Sequence, residues 1–201
     1  MWYWFFKLLM GSVVKALFGY RVVGHEKRIE SGGAIVASNH ASFMDPPLVG
    51  IGYSGNLHYL ARSTLFKNFF SYLLPKLNAV PVDRDGADLK SMKTIIRTLK
   101  GGKAVLMFPE GTRSPDGNLQ EAKPGVGMLI AKSGVPVQPV RVVGSFDAMP
   151  RTGGVKFHPV TVYIGDPIIF SESELKAKGR EAYQVLADRV MTEIGKLGPQ
   201  G

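Results

Sequence analysis

Two uninterrupted apolar runs constrain this chain most. GGAIVASN (32–39) and KAVLMFPEG (103–111) carry apolar residues with no polar alternation and then stop abruptly. A strand with one wet face alternates, whereas a strand buried on both faces does not. Such strands belong to a parallel sheet sandwiched between helices. LHYLAR (57–62), NAVPVDRD (78–85), VPVQPVRVVG (135–144) and VKFHPVTVYIG (155–165) supply further strands. The prolines of the last two suggest strand ends or a sheet edge. Helical spacing fills the gaps. Asp45 reads as the N-cap of a helix with Pro46 and Pro47 in its first turn. LFKNFFSYLLPKL (65–77) carries a broad apolar stripe suited to the sheet, or to lipid or an acyl chain. Asp88 to Lys100 ends at Gly101-Gly102, and Pro124 to Ser133 ends at Gly134. Ser171-x-x-Glu174 is a capping-box pattern that predicts one long helix to about Leu197. The expected class is α/β, with a mostly parallel central sheet flanked by helices.

At 201 residues, with no linker, repeat or low-complexity segment, the body reads as a single domain over 21–201. Residues 1–20, MWYWFFKLLMGSVVKALFGY, are set apart. Lys7, Gly11 and Lys15 recur every four residues along one side of a helix. Five of the first six residues are aromatic, which suits the headgroup boundary rather than the bilayer centre. The expectation is an amphipathic helix lying in the membrane interface, making the protein monotopic on the cytoplasmic face, with its lysines toward phosphates. The alternative is a helix packed on the domain's own core or on a partner chain.

The formal net charge is +9, so anionic partners are expected: lipid headgroups, phosphorylated substrates or nucleic acid. Nucleic-acid binding calls for basic residues clustered with exposed aromatics, whereas these lysines and arginines are scattered along the chain, so no nucleic acid is expected. There is no cysteine, which removes disulfides and thiolate metal sites. The four histidines (His25, His40, His58, His158) show no metal-ligand spacing, and no metal is expected.

Two blocks carry chemistry. In SNHASFMD (38–45), His40 closes a strand and Asp45 opens a helix. Five residues correspond to about 140° around a helix, so the pair meets only if the chain turns between them. The carboxylate then holds one imidazole nitrogen and frees the other as a base, without a nucleophilic side chain. The same residues also suit a helix cap and a filled strand end, and spacing alone does not choose. In FPEGTRS (108–114), Gly111 permits close backbone approach to a ligand. Thr112 and Ser114 can donate hydrogen bonds, and Arg113 can clasp a phosphate bidentately.

Together these blocks resemble those of the glycerolipid acyltransferases, and most closely the 1-acylglycerol-3-phosphate (lysophosphatidate) acyltransferases. NHASFMD is similar to the family's N-H-x-x-x-x-D block and FPEGTRS to its E-G-T-R block. AVPVDR (79–84) resembles the strand ending in an arginine between them, and VPVQPV (135–140) the later proline-bearing block. The family often has Gly where Asn78 opens the third block. The resemblance spans roughly residues 20–170. It implies transfer of a fatty acyl group from acyl-CoA or acyl carrier protein, with no cofactor, to a free hydroxyl of 1-acylglycerol-3-phosphate. It further implies His40 as base, Asp45 as its partner, and Glu110, Gly111, Thr112, Arg113 and Arg84 as acceptor-binding residues. Glycerol-3-phosphate, another lysolipid, or a silent lipid-tethering role are the alternatives.

Overall fold

The computed structural model describes residues 2–53, 57–82, 89–150, 152–176 and 178–199, with the side chains of 2–6, 62, 69, 70, 89 and 90 left undescribed. The helices are α1 (Trp2–Phe18), α2 (Asp45–Gly52), α3 (Phe69–Lys76), α4 (Leu89–Lys100), α5 (Pro124–Ser133), α6 (Ser145–Ala148), α7 (Glu172–Leu175) and α8 (Arg180–Lys196). The strands are β1 (Arg21–Val23), β2 (Ala34–Ser38), β3 (Leu57–Arg62), β4 (Ala79–Val82), β5 (Ala104–Met107), β6 (Val137–Val143) and β7 (Thr161–Ile164). They form one sheet in the order β1-β7-β6-β2-β5-β3-β4. Every pairing is parallel except β6 with β7.

The two apolar runs occupy the middle of this sheet, as continuous burial requires. Ile35 and Ala37 face one layer, where α4, α5 and α8 cover them with Ile95, Leu99, Leu129, Leu186 and Val190. Val36 between them faces the other layer, with Leu48 and Val49 of α2 and Val14 and Phe18 of α1. From β2 the chain crosses by α2 past β5 to β3; from β5 it crosses by α5, on the opposite face, past β2 to β6. The strand order therefore reverses between β2 and β5. At such a switch point the two departing connections leave a crevice at the carboxyl ends of the strands, where α/β sheets bind ligands.

Four local expectations are corrected. The helix after His40 begins with Asp45 as its first turn residue and Met44 as N-cap, so Asp45 does not cap forward. Its carboxylate turns back toward the preceding loop. The 65–77 run is broken: Ser63–Leu65 is a short 3-10 turn, and the α-helix starts only at Phe69, after Asn68 at φ 50°. The capping box at Ser171 forms, but it opens only the short α7. Gly179 at φ 94° then starts α8 as a separate helix. Lastly, Pro139 lies inside the sheet. Its carbonyl accepts from Gly165 N at 3.0 Å, so its missing donor faces β7. There the ladder stops at Val140–Ile164 and resumes at Val137–Ile168, leaving a bulge that needs no donor. Pro81, by contrast, is on the edge strand β4.

α1 is seated opposite to the expected sense. Lys7 donates to the Tyr53 carbonyl, and Gly11 lies against Ile51. Burial, with the Arg28 charge adding to it, lowers the Lys7 pKa to about 8. The stripe Lys7, Gly11, Val14, Phe18 thus faces the body. Leu8, Leu9, Met10, Val13 and Leu17 point outward and are exposed, Leu8 by 74%. Lys15 is exposed too. The placement of the aromatic side chains at 2–6 lies outside the described residues. No helix among the described residues is long and apolar enough to cross a membrane.

Candidate active site

The chain leaves β2 at Ser38 and turns sharply before α2. Asn39 fixes that turn: its side chain donates to Val142 O at 3.0 Å and accepts from Val142 N at 2.7 Å on β6. His40 follows. Its Nδ1 is 2.9 Å from Asp45 Oδ2, and the same oxygen accepts from the backbone N–H groups of Ala41 and Ser42, each at 2.7 Å. Asp45 is fully buried. A carboxylate only accepts, so Nδ1 carries the proton and Nε2 presents its lone pair. Ser42 steadies the loop by donating its hydroxyl to Met149 O at 2.7 Å. The imidazole lies flat on Phe108, with centroids 3.9 Å apart and planes 17° apart.

FPEGTRS lies beside this loop at the end of β5. Gly111 takes φ 72°, a left-handed conformation that a side chain would strain. The turn grips His40 by its backbone. Glu110 Oε1 accepts from His40 N at 3.2 Å, and Ser114 N donates to His40 O at 2.7 Å. Glu110 is 1% exposed, and its Oε2 makes no hydrogen bond. Burial raises its pKa to about 7, with the Asp45 charge adding to it; N–H groups of His40 and Gln120 pull the other way. Arg113 spreads its guanidinium over Phe43, 3.4 Å from the ring centroid, while its Nη1 is buried without a hydrogen-bond partner. Gly111 and Thr112 are exposed beside it.

The structure therefore brings together His40, Asp45, Glu110, Gly111, Thr112 and Arg113. Arg84 lies outside the described residues. Ser114 differs from expectation: it is buried, and its hydroxyl donates to Asp116 Oδ1 at 2.9 Å, so it is spent on the turn. Phe43, Phe108 and Asn39 are site residues that sequence reasoning passed over. All three sit inside the motif blocks, but an aromatic or amide there reveals its partner only once β2, β5 and β6 are aligned. Asn78 adopts φ 58°, a left-handed position where Asn is the usual substitute for Gly, which explains the departure at the third block. Among the described residues, no group of three or more His, Asp or Glu side chains is placed to hold a metal ion.

The His40–Asp45 dyad and the arginine turn thus sit together at the switch point of the sheet. The sequence model of the Acyltransferase family matches residues 19–143, more than half of the chain, and the chain belongs to that family. It is 35% identical over 100 residues to a 1-acyl-sn-glycerol-3-phosphate acyltransferase of Bacillus subtilis, covering 49% of this chain and 50% of that protein. Against the chloroplastic 1-acyl-sn-glycerol-3-phosphate acyltransferase BAT2 of Brassica napus, identity is 34% over 147 residues, covering 70% and 42%. The chain thus spans half or less of these relatives' length. The crystal structure of the 1-acyl-sn-glycerophosphate (LPA) acyltransferase PlsC from Thermotoga maritima superposes with a TM-score of 0.69 at 30% identity, covering 94% of this chain and 78% of that one.

Proposed function

We propose that the protein transfers a fatty acyl group from an acyl thioester, on CoA or a carrier protein, to the free hydroxyl of 1-acylglycerol-3-phosphate, giving phosphatidic acid. The observation that carries this reading is the free Nε2 of His40, locked in tautomer by Asp45, on the same rim as Arg113. Nε2 takes the proton of the acceptor hydroxyl as its oxygen attacks the thioester carbonyl. The C–O bond forms, the C–S bond breaks, and the imidazolium returns its proton to the departing thiolate. The acceptor is itself the nucleophile, so no acyl-enzyme is needed. Arg113 binds the acceptor phosphate through its unpaired Nη1, with Gly111 and Thr112 bordering it and Arg84 a further cation. Glu110 orients the turn against His40. No cofactor or metal enters this scheme.

The protein works at the membrane surface, where its acceptor resides. Residues 1–20 form the interface element and 21–201 the acyltransferase body. The outward row Leu8, Leu9, Met10, Val13 and Leu17 supports monotopic attachment, which we place on the cytoplasmic face. Val14 and Phe18 tie the same helix to the core, so element and body are not independent folding units. The test is a matrix of purified protein against lysophosphatidate, glycerol-3-phosphate and non-phosphorylated lysolipids, with both donor types and products identified by mass. Phosphatidic acid as the main product is expected. Equal or better use of another acceptor gives the reaction to that acceptor, and no turnover of any pair leaves a lipid-tethering protein.

A further inference from the structure

We infer that the exposed face of α4 is the docking surface for an acidic protein, the carrier that delivers the acyl thioester. This rests on the transfer reaction proposed above and chooses its donor. Lys93, Arg97 and Lys100 are spaced by four and three residues, so they form one row along the helix, which Lys103 extends past its end. All four are exposed. None makes an ion pair among the described residues, and the sequence from Leu89 to Lys103 contains no Asp or Glu. A merely solvated helix face normally interleaves the signs, as α8 does with Glu181, Asp188 and Glu193 among Arg180, Arg189 and Lys196. On α4 the i,i+4 neighbours Lys93 and Arg97 repel instead, which destabilises the helix in the free protein. The helix dipole compensates Arg97 and Lys100 near the C-terminus but not Lys93.

The layer arrangement decides what this row meets. α4 packs on the Ile35/Ala37 face of the sheet, whereas α1 packs on the Val36 face. Two layer spacings of about 10 Å separate the helices, while surface charge is screened within about 8 Å at physiological salt. With the outward row of α1 on the bilayer, the cations of α4 look away from it, into water. A lipid headgroup is therefore not their partner, and a soluble anionic macromolecule is. The sequence of α4, LKSMKTIIRTLK, holds no aromatic to stack bases, so an acidic protein fits better than nucleic acid. The N-terminal turn of α4 follows β4 at the carboxyl edge of the parallel strands, the edge that holds His40. A carrier lying along α4 has one end at that edge, where its flexible prosthetic arm can pass over the sheet to Nε2.

The test uses the full chain and a purified acidic acyl carrier protein charged with palmitate, beside palmitoyl-CoA. The double variant Lys93→Glu/Arg97→Glu should raise KM for the carrier-bound donor by at least tenfold. KM for palmitoyl-CoA and kcat on either donor should stay unchanged. Lys93→Gln/Arg97→Gln should give an intermediate effect with an unaltered circular dichroism spectrum, and added salt should weaken carrier use by the wild type only. Titration of the uncharged carrier against wild type and variant reads docking directly, so it still decides if the protein turns over neither donor, a result that would sink the reaction but not the surface. Equal carrier affinity in wild type and variant overturns the inference. So does a wild type that binds no carrier, or a variant whose sole defect is in sedimentation with anionic vesicles or in binding RNA.

Discussion

β2 and β5 are neighbours that end on the same edge, yet their terminal loops pair their polar groups to different degrees. At the end of β2, one oxygen of Asp45 collects three N–H donors, and Asn39 is paired twice to Val142. The imidazole has one partner and one stacking surface, which leaves over its Nε2 and the second oxygen of Asp45, Oδ1, buried without a hydrogen bond. At the end of β5 a cation is orphaned as well as a carboxyl oxygen: Arg113 Nη1 and Glu110 Oε2 are buried without hydrogen bonds. Orphaned buried polar groups cost about 1–3 kcal/mol each, and the reaction proposed above gives Arg113 Nη1 a phosphate to pair with. The first loop is organised before substrate arrives, as a base must be. The second holds one donor and one carboxyl oxygen unpaired. The two are not separate devices, because Glu110 and Ser114 hold both backbone groups of His40. The proposed anion site at one loop and the proposed base at the other are therefore joined through the His40 backbone.

The largest break in this contrast comes from the finished loop. His40→Ala should lower kcat by about 10²–10⁴-fold, the usual worth of a general base, while leaving the denaturation midpoint nearly unchanged. Asp45→Asn should cost less but appear in kcat rather than in acceptor KM; a pure KM effect would mean that Asp45 serves binding instead.

Glu110 gives the next effect, and its sign is fixed by the raised pKa. An acid whose folded pKa lies above its unfolded value adds stability below the unfolded pKa and loses it as pH climbs through the folded one. Here that window runs from the ordinary value of 4.5 to about 7. Ionising Glu110 in the fold should cost about 3 kcal/mol across it. Glu110→Gln, which mimics the protonated acid, should remove that slope: urea midpoints of wild type and variant coincide near pH 4 and separate in favour of the variant by pH 8. Parallel curves would show that the carboxylate is solvated.

The smallest effect concerns α1, where Lys7, Val14 and Phe18 are spent on the body and the outward apolar row is left unmatched. Leu9→Asp/Val13→Asp should reduce vesicle sedimentation by about tenfold or more, since burying such a side chain is worth roughly 1.5–3 kcal/mol. Turnover on detergent-dispersed short-chain acceptor should persist. Deleting residues 1–20 is a poorer probe, because it also removes Val14 and Phe18 from the core. Unchanged sedimentation of the double variant would move the membrane contact elsewhere.

Much of this was legible in the sequence where a local rule had one strong cause. The unbroken apolar runs announced strands buried on both faces, and Pro124 and Gly134 bracketed α5 to the residue. Meeting of His40 and Asp45 was legible as a possibility, decided only by the turn that Ser42 and Asn39 hold. What stayed hidden depends on distant partners. Nothing around Lys7 announces that the Tyr53 carbonyl will take it, and the three-residue β1 has too short a pattern to read. Pro139 misled because its tolerance comes from the bulge just after β7, some twenty-five residues away. The capping box at Ser171 is real, but a local cap says where a helix starts and not how far it runs, and Gly179 settled that.

The central claim is that the unpaired donor of Arg113 exists for the acceptor's phosphate. It is tested most directly by the ratio of kcat/KM for lysophosphatidate to that for monoacylglycerol of the same chain, measured in wild type and in Arg113→Ala. The account predicts a strong preference for the phosphorylated acceptor in the wild type. The variant should lose about 2–4 kcal/mol of that preference through acceptor KM, with donor KM unmoved. A ratio that survives the substitution, or a loss seen in donor KM instead, would contradict it.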